Sequence, residues 1–148
     1  MLKSVFLGGC LLVASVGVAS AACPGTPLTG LGTLLADKLI CGTNLGNGEH
    51  YQEEHRSAGS VLWERAKGPS DPVDPSAQVG TWSIDTSGAN EQVCYNYGAG
   101  GTYCHTVSLN GGIAGANGST YSFCSGSGEV TGVMVTPIPA PGVNACGF

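Results

Sequence analysis

The segment HYQEEH, residues 50–55, contains two of the three histidines of the chain and two of its ten acidic residues. It is close to the H-x-x-E-H pattern of zinc enzymes, but its second histidine comes one residue late. It also alternates like a strand, on which His50 and His55 point to opposite faces. A metal site could still combine Glu53, His55 and a distant His105. The favoured interpretation is a hairpin whose histidine and carboxylate form hydrogen bonds at the rim of a sheet, without metal or cofactor.

Other catalytic arrangements find little support in the sequence. The chain has no G-x-S-x-G elbow for a nucleophilic serine. Glu53 and Glu54 are adjacent and diverge on a strand, whereas glycosidase chemistry needs two carboxyl groups facing one gap about 5–10 Å wide. The residue pattern therefore favours a protein that is not an enzyme.

The HYQEEH segment is expected to form a hairpin with arms 49–55 and 60–65. A three-residue turn at 57–59 would use Gly59 for the positive φ that such a loop needs. The more apolar face is the expected interior, and it carries Tyr51, Glu53 and His55 from the first arm, with Val61 and Trp63 opposite His55 and Glu53.

The stretch QVCYNYGAGGTYCHTVSL, residues 92–109, predicts a second hairpin that turns at residues 98–100. This turn places Cys94 opposite Cys104 and Val93 opposite His105. The cysteines then share one face, and the other face carries Val93, Tyr95, Tyr97, Tyr103, His105 and Val107. We expect His105 to point into the protein.

The remaining pattern predicts a mostly β fold. Leucines at 28, 31, 34 and 35 have helical spacing, and further strands are expected at 39–41, 79–85, 120–124 and 129–135. About eight short strands joined by short turns favour a small antiparallel up-and-down barrel or a closed twisted sheet. Asp71 and Asp74 of the Pro-rich loop could offer oxygens to Ca²⁺, but a solvated loop is favoured.

Residues 1–21 have the layout of a secretory signal peptide, with Lys3, an apolar run and an Ala-Ser-Ala cleavage signal. Cleavage leaves a single β domain, 22–148, with a Pro-rich C-terminal tail. Lipid attachment at Cys23 is an alternative fate of the new N-terminus. The signal-like segment predicts an exported protein, with no transmembrane segment in the mature chain.

Cleavage removes Cys10 and leaves six of the seven cysteines, which predicts three disulfides. Cys94–Cys104 follows from the second hairpin, because opposed strand positions lie within disulfide reach. Cys41–Cys124 is expected to join the first strand to a late one across the barrel closure. Cys23–Cys146 remains, tying the two ends of the mature chain together.

The charge balance restricts the partners. Loss of Lys3 takes the net charge from −5 to −6, because only four basic residues remain against ten acidic ones. The basic residues form no cluster, which argues against nucleic acid and anionic membrane surfaces. A cationic partner is favoured by the overall field.

With YQEEH, LWERAKG, DPVDP, VGTWSI, CYNYGAGGTYCHTV and YSFC in this order, the chain resembles a family of short secreted bacterial proteins with no assigned function. The likeness covers residues 39–124, and its series runs aromatic-Gln-Glu-x-His, Leu-Trp, Lys-Gly, Asp-Pro and Val-Gly-Thr-Trp. It implies a bacterial exported β domain, periplasmic or extracellular, and supplies no activity. The order of strands is also similar to that of small periplasmic lipocalin-type barrels, a likeness of fold alone.

The expected function is that of an exported binding or envelope module, whose partner is an unknown small molecule or envelope protein. A barrel of eight strands is either filled by side chains or just able to hold one small ligand. The tryptophans and tyrosines favour a filled core, which would leave binding to the loops 66–78 or 110–119. The candidate ligand-binding residues are Glu53, His55, Trp63, Trp82, Tyr95, Tyr103 and His105. The alternatives are a periplasmic inhibitor of a basic cell-wall hydrolase, favoured by the acidic charge, and a metal-dependent enzyme.

Overall fold

Eight antiparallel strands close into a barrel in the order in which they occur in the sequence. The computed structural model describes residues 23–43, 48, 50–66, 77–126, 128–140 and 143–147. A short helix, α1 (Leu31–Leu35), precedes the strands β1 (Lys38–Thr43), β2 (His50–Arg56), β3 (Val61–Ala66), β4 (Ala77–Asp85), β5 (Gln92–Asn96), β6 (Thr102–Gly111), β7 (Thr120–Ser125) and β8 (Gly128–Pro137). The predicted up-and-down barrel and its N-terminal helix are confirmed.

The barrel closes because β1 pairs with β2 on one side and with β8 on the other. Alternate residues of each strand point inward, and the apolar ones form a single core. Closure leaves no strand edge unpaired, which removes the usual site of edge-to-edge aggregation. The core is made of Leu31, Leu35, Ile40, Leu62, Trp82, Val93, Tyr95, Val107, Tyr121, Phe123, Val133 and Val135.

Helix α1 covers one end of the barrel. Leu31 and Leu35 are four residues apart, so they lie on one face of the helix, and both are fully buried in the core. The backbone N–H groups of Gly30 and Leu31 donate to the carboxylate of Glu91, each at 2.8 Å. This contact fixes the start of the helix to the segment that enters β5. We call the opposite end, where the turn at 98–100 lies, the mouth.

The two ends of the described chain cross the outside of the barrel at different places. The N-terminal segment follows β6, since Leu28 N–H donates to Val107 O at 2.7 Å and Ser108 Oγ donates to Pro24 O at 2.7 Å. The C-terminal segment crosses β1 to β3, where Arg65 donates to Ala140 O at 3.2 Å. We call this surface the covered wall; it buries Leu39, Gln52, Glu54 and Arg65.

The disulfide pairing corrects two of the three predictions. Cys94–Cys104 is confirmed, with a Cα–Cα distance of 4.0 Å. Cys41–Cys124 and Cys23–Cys146 are wrong: Cys23 is bonded to Cys124, and Cys41 is bonded to Cys146.

The reason for the correction lies in the strand order. Strand β8 separates β1 from β7, and two strands on either side of a third lie about 10 Å apart, beyond the reach of a disulfide. Each terminal segment is instead fastened to the wall that it crosses. The Cys23 sulfur is held in a disulfide and is not free for lipid attachment.

The first hairpin differs from its prediction by one residue. Arg56 lies opposite Val61, so the turn holds four residues, 57–60, rather than three. His55 therefore lies opposite Leu62, and Glu53 lies opposite Glu64. A slip of one residue turns every side chain of a strand to the other face.

As a result, Leu62 and Glu64 face the interior, and the predicted inward positions of Val61 and Trp63 are wrong. The Trp63 ring lies on the outer surface, where the Arg56 guanidinium stacks over it at 4.3 Å from the ring centre. The second hairpin has the predicted register, with Val93 opposite His105 and Cys94 opposite Cys104. His105 points inward, as predicted.

Gly80 is expected to tolerate no side chain. It lies opposite Leu62 where the β3–β4 register shifts, and a Cβ atom there would collide with the backbone oxygen of Asn96. Backbone cannot move aside as a flexible side chain can, so Gly80→Ala should lower the free energy of unfolding by about 2–3 kcal/mol. Urea denaturation measures the change. The control is Gly126→Ala, where the new methyl group meets open space; equal stability of the two variants would contradict the prediction.

Candidate functional site

Two hydrogen bonds span the interior of the barrel between β2 and β5, which are separated by β3 and β4. His55 Nε2 and the Tyr95 hydroxyl share one at 3.1 Å. The Tyr97 hydroxyl donates the other to the Glu53 carboxylate, at 3.0 Å to Oε1 and 3.2 Å to Oε2. Each pair lies two residues from the other along both strands, so the two bonds form successive layers of one polar ladder.

The inner layer, formed by His55 and Tyr95, is part of the packed core. His55 is fully buried, and its ring meets those of Trp82 and Tyr95 at 5.3 Å in edge-on contacts. Burial lowers the pKa of His55 to about 3, against a smaller opposing effect of a backbone hydrogen bond to Glu53. The imidazole is therefore neutral at ordinary pH, and its hydrogen bond to Tyr95 orders the centre of the core.

The outer layer holds a carboxylate in unusual surroundings. Burial raises the pKa of Glu53 to about 7; the hydrogen bond from Tyr97 lowers it, and the negative charge of Glu64 raises it further. Glu64 lies directly across from Glu53 on β3. Among the residues that the structure describes, no lysine or arginine forms an ion pair with Glu53.

Tyr97, which bonds to this carboxylate, belongs to a series of aromatic contacts at the mouth. Tyr97 contacts Tyr95 at 6.5 Å and Tyr103 at 6.2 Å between ring centres. His105 lies 5.8 Å from Tyr95 and 6.4 Å from Phe123. The rings therefore continue from the core to the rim of the barrel without a break.

Tyr51 is the aromatic residue of the mouth on the β1–β2 side. Its hydroxyl and ring lie against the backbone of Gly42, in space that any Cβ atom at position 42 would occupy. Only glycine at this position allows the tyrosine to lie over β1. Gly42 thus leaves room for the Tyr51 ring, which lies within electrostatic range of Glu53.

Exposure rises along the barrel from the helix to the mouth. Leu62, Val93, Val107 and Tyr121 have no exposed surface. The inward-facing residues near the mouth are partly exposed, namely Tyr51, Glu53, Glu64, Tyr97 and His105. The interior is therefore filled next to the helix and accessible at the mouth.

The predicted site residues fall into three groups. Glu53, His105 and Tyr103 lie at the mouth, with Tyr95 directly beneath. His55 and Trp82 belong to the filled core, and Trp63 lies on the outer surface. The sequence-based site omitted three mouth residues, Tyr51, Glu64 and Tyr97. Strand alternation had placed Tyr51 and Tyr97 on the inner face, whereas Glu64 was hidden by the one-residue error in register.

The histidines do not form a metal site in the described part of the chain, which contains no group of three His, Cys, Asp or Glu residues able to hold a metal ion. His50 lies on the opposite side of β2 from His55 and forms a hydrogen bond with Thr43 at 2.9 Å. Asp71 and Asp74, the candidate Ca²⁺ ligands, lie outside the described residues.

The pKa of Glu53 gives the protein a testable dependence on pH. The folded state holds the proton more tightly than the unfolded chain, whose pKa is near 4.5. The contribution of Glu53 to stability is therefore fully present below about pH 4.5 and is lost as the pH rises through about 7. We expect Glu53→Gln to be more stable than the natural protein by about 2 kcal/mol at pH 8 and equally stable at pH 4.5. Denaturant unfolding at both pH values measures this, and a constant difference would contradict it.

No protein-family model, curated protein or solved structure matches this chain. Within the described ranges, no helix has the length and apolar character needed to cross a membrane. The chemistry of the mouth therefore carries the functional argument.

Proposed function

We propose that this protein is an exported, non-enzymatic binding module that holds a small molecule in the mouth of its barrel. The observation that carries the proposal is the Glu53–Tyr97 pair, which lies inside the barrel and is still partly accessible. A buried polar group normally serves either the fold or a ligand. The His55–Tyr95 layer beneath already orders the core, so the outer layer is available to a ligand.

The lining of the mouth supports a ligand of small size. An interior of eight strands has room for one small molecule at most, and here the half next to the helix is filled. Ligand sites typically combine apolar and aromatic walls with a few polar groups that fix orientation. Phe123, Val130 and Tyr97 would form the walls, and Glu53 the orienting group.

The covalent chemistry supports an oxidising compartment. Three disulfides join the described cysteines, and such bonds persist in exported proteins rather than in a reducing cytosol. Together with the signal-like first 21 residues, this favours the bacterial periplasm or the exterior. Membership in the family of short secreted bacterial proteins that the sequence resembles is part of the same proposal.

Blocking the mouth tests the proposal. Val130 lies opposite Phe123 near the start of β8 and packs against the core, so the larger side chain of Val130→Trp should fill the mouth of the barrel. Ser83→Trp is the matched control, because Ser83 is exposed and lies opposite Cys94, whose side chain faces outward. Natively purified protein is denatured, and the released small molecules are identified by mass spectrometry.

We expect one compound to be released from the natural protein and from Ser83→Trp, and to be absent from Val130→Trp. Equal release from both tryptophan variants, or none from the natural protein purified from its own envelope, would overturn the proposal. Capture of a basic hydrolase by protein that contains no small molecule would favour the inhibitor instead.

A further inference from the structure

The two described arginines lie on the outer face of the barrel, whereas two of its carboxylates lie on the inner face. Arg56 and Arg65 both lie against Glu54 on the outer surface, at 2.7 and 3.4 Å. On the inner face, Glu53 and Glu64 lie opposite each other at the mouth. A carboxylate in a confined space normally acquires a cationic neighbour, since burial of an unpaired charge is costly. In the described ranges, Glu53 has only the neutral hydroxyl of Tyr97.

The groups that face Glu53 come from several elements. Glu64 faces it from β3, Tyr95 and Tyr97 face it from β5, and Tyr51 is its neighbour on β2. Ile40 of β1 lies directly opposite on the other side. The titratable groups in this set are all acids. His105 of β6 is the basic side chain at the mouth, and burial lowers its pKa below the usual value of 6.5, so it is neutral at pH 8 and does not compensate the charge of Glu53.

The aromatic rings favour the same kind of occupant. The face of a tyrosine ring carries partial negative charge and attracts a cation placed within about 6 Å of its centre. The Tyr97 hydroxyl bonds to the Glu53 carboxylate, Tyr51 lies within electrostatic range of it, and Tyr103 contacts the Tyr97 ring at 6.2 Å between ring centres. Rings alone would serve a neutral apolar ligand equally well, and a carboxylate alone would serve a hydrated metal ion. The combination fits a cation that carries its charge on a small organic group.

We propose that the mouth binds a small organic cation, and this inference rests on the proposed function. The ligand is an alkylammonium compound whose charged group lies between the Glu53 carboxylate and the tyrosine rings. The rings replace part of the hydration of the ammonium group, and the carboxylate neutralises its charge. The ligand would carry a single positive charge, because Glu53 is the carboxylate that the ring cluster contacts directly.

The test compares two molecules of nearly equal shape. Choline carries a quaternary ammonium group that stays charged at every pH, and 3,3-dimethyl-1-butanol has a neutral carbon in place of the nitrogen. Both are titrated into the mature protein at pH 8 in a calorimeter. We expect choline to bind at least about tenfold more tightly than the alcohol, the factor that corresponds to a single modest charge interaction.

Two further measurements connect the preference to Glu53. Glu53→Gln should bind both molecules with equal affinity, whereas Asp85→Asn, which removes an exposed carboxylate near the helix end, should keep the preference for choline. Lowering the pH from 8 to 5 protonates Glu53, and should weaken choline binding about tenfold or more while leaving the alcohol unchanged.

The inference would be overturned by equal binding of the two molecules, by tighter binding of the alcohol, or by a preference for choline that survives in Glu53→Gln. Binding of the alcohol alone would leave the proposed small-molecule function standing and remove only its cationic ligand. Absence of binding by both molecules would refute the cation site, and the mouth-blocking experiment would then decide the broader function independently.

Discussion

Replacing Glu54 by alanine is expected to lower the free energy of unfolding by about 3–5 kcal/mol. Glu54 and Arg65 are almost fully buried in the covered wall, at 2% and 1% exposure, and their charged groups lie 3.4 Å apart. Removal of the carboxylate leaves the Arg65 guanidinium without its counter-charge beneath the C-terminal segment. Its hydrogen bond to Ala140 O offsets only a small part of that cost. Guanidinium chloride denaturation at pH 7 measures the loss.

Two variants separate this ion pair from its exposed neighbour. Arg56 also lies beside Glu54 but is much more exposed, so Arg56→Ala should cost no more than about 1 kcal/mol. The double substitution Glu54→Leu and Arg65→Met removes both charges and keeps apolar volume, so it should recover most of the stability lost in Glu54→Ala. A double variant no more stable than the single one would show that the buried charges are not the cause.

The barrel itself was predictable because the alternation of apolar and polar residues assigns the inner positions of neighbouring strands consistently. Short strands separated by glycine-rich turns leave few topologies other than sequential antiparallel pairing. The second hairpin was predictable to the residue, since a glycine-rich turn and two cysteines at matching distances from it fix the same register. His105 was therefore placed correctly on the inner face.

The first hairpin shows what local patterns leave open. Its fourth turn residue is Ser60, which adopts a positive φ of 52° without being glycine. The turn is also held from outside, because Ser57 donates from its backbone and its hydroxyl to Asp37. This contact joins residues 20 positions apart, and no turn preference encodes it. The one-residue error that followed placed Trp63 inside and concealed Glu64.

The covered wall was not predictable from alternation. Gln52, Glu54 and Arg65 are polar residues on the face opposite the core, a pattern that is typical of solvent exposure. Their burial results from the C-terminal segment, whose Pro-rich sequence carries no periodicity. The two long-range disulfides depend on where the N-terminal and C-terminal segments cross the barrel. This explains why the predicted long-range pairs were wrong while the hairpin pair was right.

The mouth was predictable in part, for the same reasons. Glu53, Tyr95 and Tyr97 were assigned to inner faces by alternation on two strands. Their proximity depends on the diameter of the barrel, which brings the side chains of β2 and β5 within hydrogen-bonding distance across the interior. That distance is a property of closure and of strand number, and it appears only when all eight strands are assembled.

Removal of the disulfide between Cys23 and Cys124 is expected to have the second large effect. The bond joins residues 101 positions apart, and cross-linking a loop of this length reduces the entropy of the unfolded chain by an amount worth about 4–5 kcal/mol. We expect the double variant Cys23→Ala, Cys124→Ala to lose that much free energy of unfolding in guanidinium chloride. The barrel should still close, because the lost bond fastens the N-terminal segment and takes no part in strand pairing.

The hairpin disulfide provides the comparison, because Cys94 and Cys104 are only 10 positions apart. The same entropy relation gives about 3 kcal/mol for this shorter loop, so Cys94→Ala, Cys104→Ala should unfold at a higher denaturant concentration than the variant that lacks Cys23–Cys124. Hydrogen exchange adds a local measure: loss of Cys23–Cys124 should speed exchange of the Leu28 amide, which donates to Val107 O, while the amides of β5 and β6 keep their protection. Equal losses of stability in the two variants would show that chain entropy does not set the contribution of these bonds.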